Sequence, residues 1–92
     1  MLLSYNNVVR LHRSSSKHGV LAEDATHAFD RLVAVVDLDP ESALPKILVI
    51  GPDRSGNLIE LIALVLADDE LLVIHAMRLR PVFYRYLPDP TE

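Results

Sequence analysis

The chain is 92 residues long, half of them apolar and 24% charged. That is the size and composition of one small globular domain and leaves no room for a second folded unit. Thirteen acidic residues against nine basic ones give a formal charge of −4, so the molecule as a whole exerts no strong pull on a polyanion and any basic surface must be local.

Cysteine is absent, which excludes a disulfide framework, thiolate catalysis and every cysteine-based zinc or iron-sulfur site. The longest apolar stretch, Asn57–Ala67, contains Glu60 and is far shorter than the roughly 20 residues of a membrane span. The opening MLLSYNNVVRLHR lacks the basic, apolar and small-residue regions of a secretory leader. A cytoplasmic protein without membrane contact is expected.

In chain order, Val8, Val9 and Leu11 form the first apolar cluster, followed by Arg13, the serines Ser14 to Ser16, and Lys17-His18-Gly19. A short helix closing at Gly19 is expected, because glycine accepts the left-handed conformation that ends helices, although three serines weaken its last turn. From Leu21 to Leu32, the residues Leu21, Ala25, Ala28, Phe29 and Leu32 recur at helical spacing and predict an amphipathic helix packed on a core. Glu23 and Asp24 fall in its first turn, where exposed backbone N–H groups favour negative charge.

The β-branched run that starts at Leu32 and stops at Asp39-Pro40 predicts a first strand, and Lys46 to Ile50 a second. Gly51 to Asn57 has the composition of a turn, and Leu58 to Leu66 and Glu70 to Ala76 read as third and fourth strands around Asp68-Asp69. Links this short are compatible with antiparallel pairing and too short for parallel crossovers. Val82, Phe83, Tyr86 and Leu87 make one face of a short closing helix that starts near Pro81, and residues 88–92 are expected to fray. The expected fold is therefore α+β, a single domain over residues 1–92. One or two N-terminal helices pack on a curved antiparallel sheet of three to four strands, followed by a short C-terminal helix.

Several chemistries can be set aside. Gly51 to Gly56 lacks the Gly-Lys-Ser/Thr ending of a phosphate loop and opens no long helix. His12, His18, His27 and His75 fall into no paired motif with metal-ligand spacing, so neither a metal nor a cofactor is expected. The carboxylate pairs Glu23-Asp24, Asp37/Asp39 and Asp68-Asp69 each have an ordinary place in a helical turn or at a strand end. Arg54 sits at a hairpin tip, where solvation is its ordinary role.

The informative constellation is positive: Arg13, Lys17 and His18 before the helix, and His75, Arg78, Arg80 and Arg85 in and after the last strand. An RNA backbone needs such donors. Attack of a 2′-hydroxyl on its own phosphate needs a base, an acid and stabilisation of the crowded phosphate, tasks that histidine and arginine cover without metal. His75 is the candidate acid or base because histidine is a residue type that both gives and takes protons and because it ends a strand that could aim it. Arg80 is the candidate phosphate clamp through its planar fork, with Arg78 and Arg85 as further phosphate contacts and Tyr84 as a base-stacking residue. Lys17 and His18 would form the other wall of such a groove. Each also has an ordinary role, in packing, solvation or complementing a helix end.

The chain resembles the BrnT family of small toxins within the wider RelE-like ribonuclease group. The resemblance rests on Lys17-His18-Gly19-Val20, Glu23-Asp24-Ala25, Ala28-Phe29, Leu48-Val49-Ile50-Gly51, Gly56-Asn57-Leu58 and Leu72-Val73-Ile74-His75-Ala76. These motifs cover most of Lys17 to Arg80, and it is their order that carries the signal. The resemblance implies a toxin that cleaves RNA and is neutralised by a cognate antitoxin with a DNA-binding domain.

Two departures matter. Family members commonly open with a Phe-Glu-Trp-Asp-like strand that this chain lacks. Where the family pattern after the last strand resembles Ile-Ser-Ala-Arg-Lys-Ala-Thr, this chain reads Ile74-His75-Ala76-Met77-Arg78-Leu79-Arg80. His75 thus stands at the serine position and Met77 at the arginine position, where methionine offers no charge-assisted donor. The expected activity is metal-independent endoribonuclease cleavage. The alternative is a non-catalytic protein-interaction domain on a degenerate toxin fold. An exposed sheet edge would also allow a homodimer.

Overall fold

A computed structural model of the protein describes residues 8–67 and 70–89. Five strands, β1 (Val8–Leu11), β2 (Ala34–Asp37), β3 (Lys46–Pro52), β4 (Leu58–Val65) and β5 (Glu70–Arg78), form one sheet in the order β1-β5-β4-β3-β2. Among the described residues, the helix α1 (Ala22–Asp30) and the 3-10 segments Arg13–Ser16 and Pro81–Tyr86 complete an α+β fold. The Asp68-Asp69 turn and residues 90–92 of the expected frayed tail lie outside the described residues.

From β2 to β5 the chain makes the antiparallel meander that short links dictate. The amino-terminal segment departs from expectation. Val8–Leu11 is a strand rather than part of a helix, and it runs parallel to β5, with Val8 opposite Glu70 and Leu11 opposite Val73. The sheet is accordingly mixed and five-stranded instead of antiparallel with three to four strands. Its valines suit extended backbone, and Arg10 pairs with Glu70 across the junction. The serines after it form a single 3-10 turn because their hydroxyls bond nearby backbone carbonyls: Ser15 donates to His12 O at 2.7 Å and Ser16 to Arg13 O at 2.8 Å. Gly19 does adopt the left-handed conformation, with φ 78°.

Helix α1 is shorter than its apolar periodicity. Ala25 and Ala28 are fully buried, whereas Leu21 and Leu32 flank the helix and are exposed. The small face lets the helix lie close to the sheet. At Gly51 on β3, a Cβ would stand 2.4 Å from the Ala28 carbonyl oxygen, so only glycine fits there. Beneath α1 lies the larger core, with Ile47, Val49, Leu61, Leu71 and Val73 at zero exposure.

The opposite face of the sheet carries a smaller cluster in which Leu48, Ile50 and Leu79 pack with Phe83, Tyr86 and Leu87 of the closing segment. That segment is 3-10 rather than α-helical, and Val82 is exposed. Burial on both faces explains why β3 reads as a continuous apolar run, Ile47 to Ile50. No helix among the described residues is long and apolar enough to cross a membrane.

Candidate functional site

One residue breaks the apolar interior of the second face. Glu60, in the middle of β4 and opposite Ile50 of β3, has no exposed surface. A buried carboxylate requires partners, and they come from the end of β5 and the residues after it. Glu60 Oε1 accepts the Arg80 backbone N–H at 2.8 Å. Oε2 accepts from Arg80 Nε at 3.0 Å and Nη2 at 2.7 Å, and lies 2.9 Å from His75 Nε2. Among the described residues no buried side-chain polar atom lacks a partner.

Burial pushes the Glu60 carboxyl up, but hydrogen bonds from Arg80 and His75 outweigh it and hold the group below the usual carboxylate range. The same contact with Glu60 raises the Arg80 guanidinium, against the opposing effect of burial. Because a carboxylate only accepts, His75 carries a proton on Nε2, and its Nδ1 remains for a second partner. The side chains of His75 and Arg80 are 23% and 45% exposed, against 0% for Glu60. The histidine and the arginine can therefore meet a ligand, while the carboxylate orients them from behind.

His75 faces Glu60 only because β5 is irregular. Val73 pairs with Ala63 and His75 with Ile62, leaving Ile74 as an extra residue. Val73 belongs to the core under α1, so an unbroken alternation would turn His75 into that core too. The irregularity instead puts His75 on the face of Ile62 and Glu60.

Where β1 ends, the first 3-10 turn takes over the edge of β5, with the Ser14 hydroxyl donating to Ile74 O at 2.8 Å. This places His18 beside His75, the ring centroids 5.7 Å apart and the planes inclined at 70°. Lys17 closes the same turn and is exposed.

The other expected residues are distributed. Arg78 pairs in register with Ile59, a residue of the helix-side core, and so faces away from Glu60. It lines a pocket of about 170 Å³ together with His18, Val20, Asp24, Asp53 and Ile59. Tyr84 and Arg85 are exposed on the closing segment, Arg85 with its guanidinium 5.8 Å from the Tyr86 ring centre. Arg54 is not a free hairpin tip: its backbone N–H and Nε both donate to Asp24 at 2.9 Å. His27 is half-buried and bonded to Pro52 O at 2.8 Å. Among the described residues, no group of three or more histidine and acidic side chains is arranged to hold a metal ion.

Met77 is the register partner of Glu60. An arginine at that position would lie beside the carboxylate, and here Arg80 supplies the guanidinium from beyond the strand end. Glu60 itself has no counterpart among the residues singled out from sequence. Its signal was a lone acid inside the apolar run Leu58 to Ala63, at an inward position of a doubly covered strand. Comparison with known family models, curated proteins and solved structures finds no match to this chain.

Proposed function

We propose that the protein is a toxin-like, metal-independent endoribonuclease of the BrnT-like, RelE-like type, acting on single-stranded RNA in the cytoplasm and neutralised by a small antitoxin with a DNA-binding domain. The observation that carries this reading is the His75–Glu60–Arg80 cluster. A buried carboxylate fixes one nitrogen of a partly exposed histidine and holds an arginine at its side. This is the arrangement by which proteins aim an acid or base and a phosphate clamp at one point.

In the proposed reaction the 2′-oxygen of a ribose attacks the adjacent phosphorus, and the bond from phosphorus to the 5′-oxygen of the next nucleotide breaks. One group takes the 2′-hydroxyl proton and another gives a proton to the departing 5′-oxygen, leaving a 2′,3′-cyclic phosphate and a 5′-hydroxyl. His75, through Nδ1, serves one of these transfers. His18, 5.7 Å away ring to ring, stands where it can serve the other. Arg80 stabilises the phosphate, and Lys17 and Arg85 hold neighbouring phosphates by charge.

The test is cleavage of a labelled mixed-sequence RNA in EDTA by the wild-type chain, His75→Ala and Arg80→Lys, each checked for folding. Loss of at least about a hundredfold in His75→Ala is expected, the lower range for removing a positioned acid or base. Equal cleavage by folded His75→Ala would refute the assignment. An inert wild type, with and without ribosomes, would leave the interaction-domain reading, in which the same cluster only stabilises the fold.

A further inference from the structure

We propose that the pocket beside His18 receives a guanine base next to the scissile phosphate, an assignment that rests on the nuclease reading above. The pocket, about 170 Å³, is small for a drug-sized ligand and suits a single flat ring system. It lies on the helix side of the sheet and is lined by His18, whose ring is 5.7 Å from that of His75, so His18 links it to the proposed reaction centre.

Its polarity selects the ligand. Two carboxylates, Asp24 and Asp53, line it with one guanidinium, Arg78, and Arg54 compensates Asp24, so the site carries little net charge. It favours a neutral group with N–H donors along one side and acceptors on another. Both carboxylates are held still. Asp24 Oδ1 accepts the Arg54 backbone N–H and Nε at 2.9 Å, and Asp53 Oδ1 accepts from Ser55 N at 2.9 Å and Asn57 N at 2.8 Å. These donors bond Oδ1, and each carboxylate keeps Oδ2 as a further acceptor.

Among the four RNA bases, guanine alone carries two adjacent donor groups, N1–H and the N2 amino group. Its opposite edge, N7 and O6, is the acceptor pair that arginine reads with a fork. Arg78 therefore reads a base rather than clamping a phosphate. Val20 and Ile59 supply the apolar contact for the ring.

The test is binding of the 3′-monophosphates of guanosine, adenosine, cytidine and uridine to the isotope-labelled full chain. Affinity is read from backbone amide shifts, in wild type and in Arg78→Ala. Guanosine 3′-monophosphate should bind at least about tenfold tighter than the others, with shifts at Val20 and Asp53, and the exposed Arg78→Ala should lose the preference. Equal binding of all four, binding of none, or a preference that survives Arg78→Ala overturns the assignment. The two readings fail separately: guanine preference in a chain that leaves RNA intact refutes only the nuclease, and base-indifferent cleavage that depends on His75 refutes only the pocket.

Discussion

At the scale of single residues, the molecule turns on a carboxylate that no ligand can touch. Glu60 is ionised while fully buried because Arg80 and His75 compensate it, and breaking such a set from one side generally costs several kcal/mol. Its folded-state pKa lies below the ordinary value. Its contribution to stability is therefore present above the unfolded pKa and is lost as pH falls through the folded one. Arg80→Ala removes the largest of the interactions that hold the carboxyl down and leaves the burial that pushes it up. Urea unfolding should thus show Arg80→Ala clearly weaker than wild type at pH 7, the gap closing as the pH drops through the carboxylate range. A gap that stays constant with pH would mean that Glu60 is not ionised in the native protein. Sequence displayed the exposed half of this cluster, since His75 and Arg80 stand five positions apart at a strand end. It hid the buried half, because Glu60 meets them only through the pairing of β4 with β5.

At the scale of elements, the close seat of α1 on β3 depends on Ala25, Ala28 and Gly51. Gly51→Ala should destabilise by about 2 kcal/mol through forced separation of helix and strand, a fall in Tm of about 10 °C for a domain of this size. A drop below a few degrees would mean that the helix shifts freely on the sheet. Elements with strong local signatures were legible: the helix between Leu21 and Leu32, β3 and β4 within two residues of their bounds, and the turn before β4, although Gly51 and Pro52 of its expected span belong to β3. The first strand was not, since its partner lies at the far end of the chain and three serines imitate the end of a helix. The extra residue at Ile74 was equally illegible. Strict alternation from Leu71 and Val73 assigns His75 to the wrong face, and only the pairing with β4 reveals the slip.

At the scale of the whole molecule, a charge of −4 means that, on the proposed reading, RNA is held by local cations and not by the overall charge. With Lys17, Arg80 and Arg85 as the phosphate contacts, binding of a uridine-rich single strand should weaken with a slope of about −2 in log K against log salt. Arg85→Ala should flatten that slope by about 0.7, read by fluorescence anisotropy. A slope near zero would exclude phosphate contact by these three side chains. The parallel pairing of β1 with β5 also orders events in time. At about 5–20 residues per second, Val8–Leu11 are synthesised several seconds before their partner strand. The two valines cannot pair until β5 exists, and the residues that would form the reaction centre come together only after β5 has emerged. On the proposed nuclease reading, the reaction centre is therefore incomplete until β5 and the residues after it, which carry His75 and Arg80, have been made.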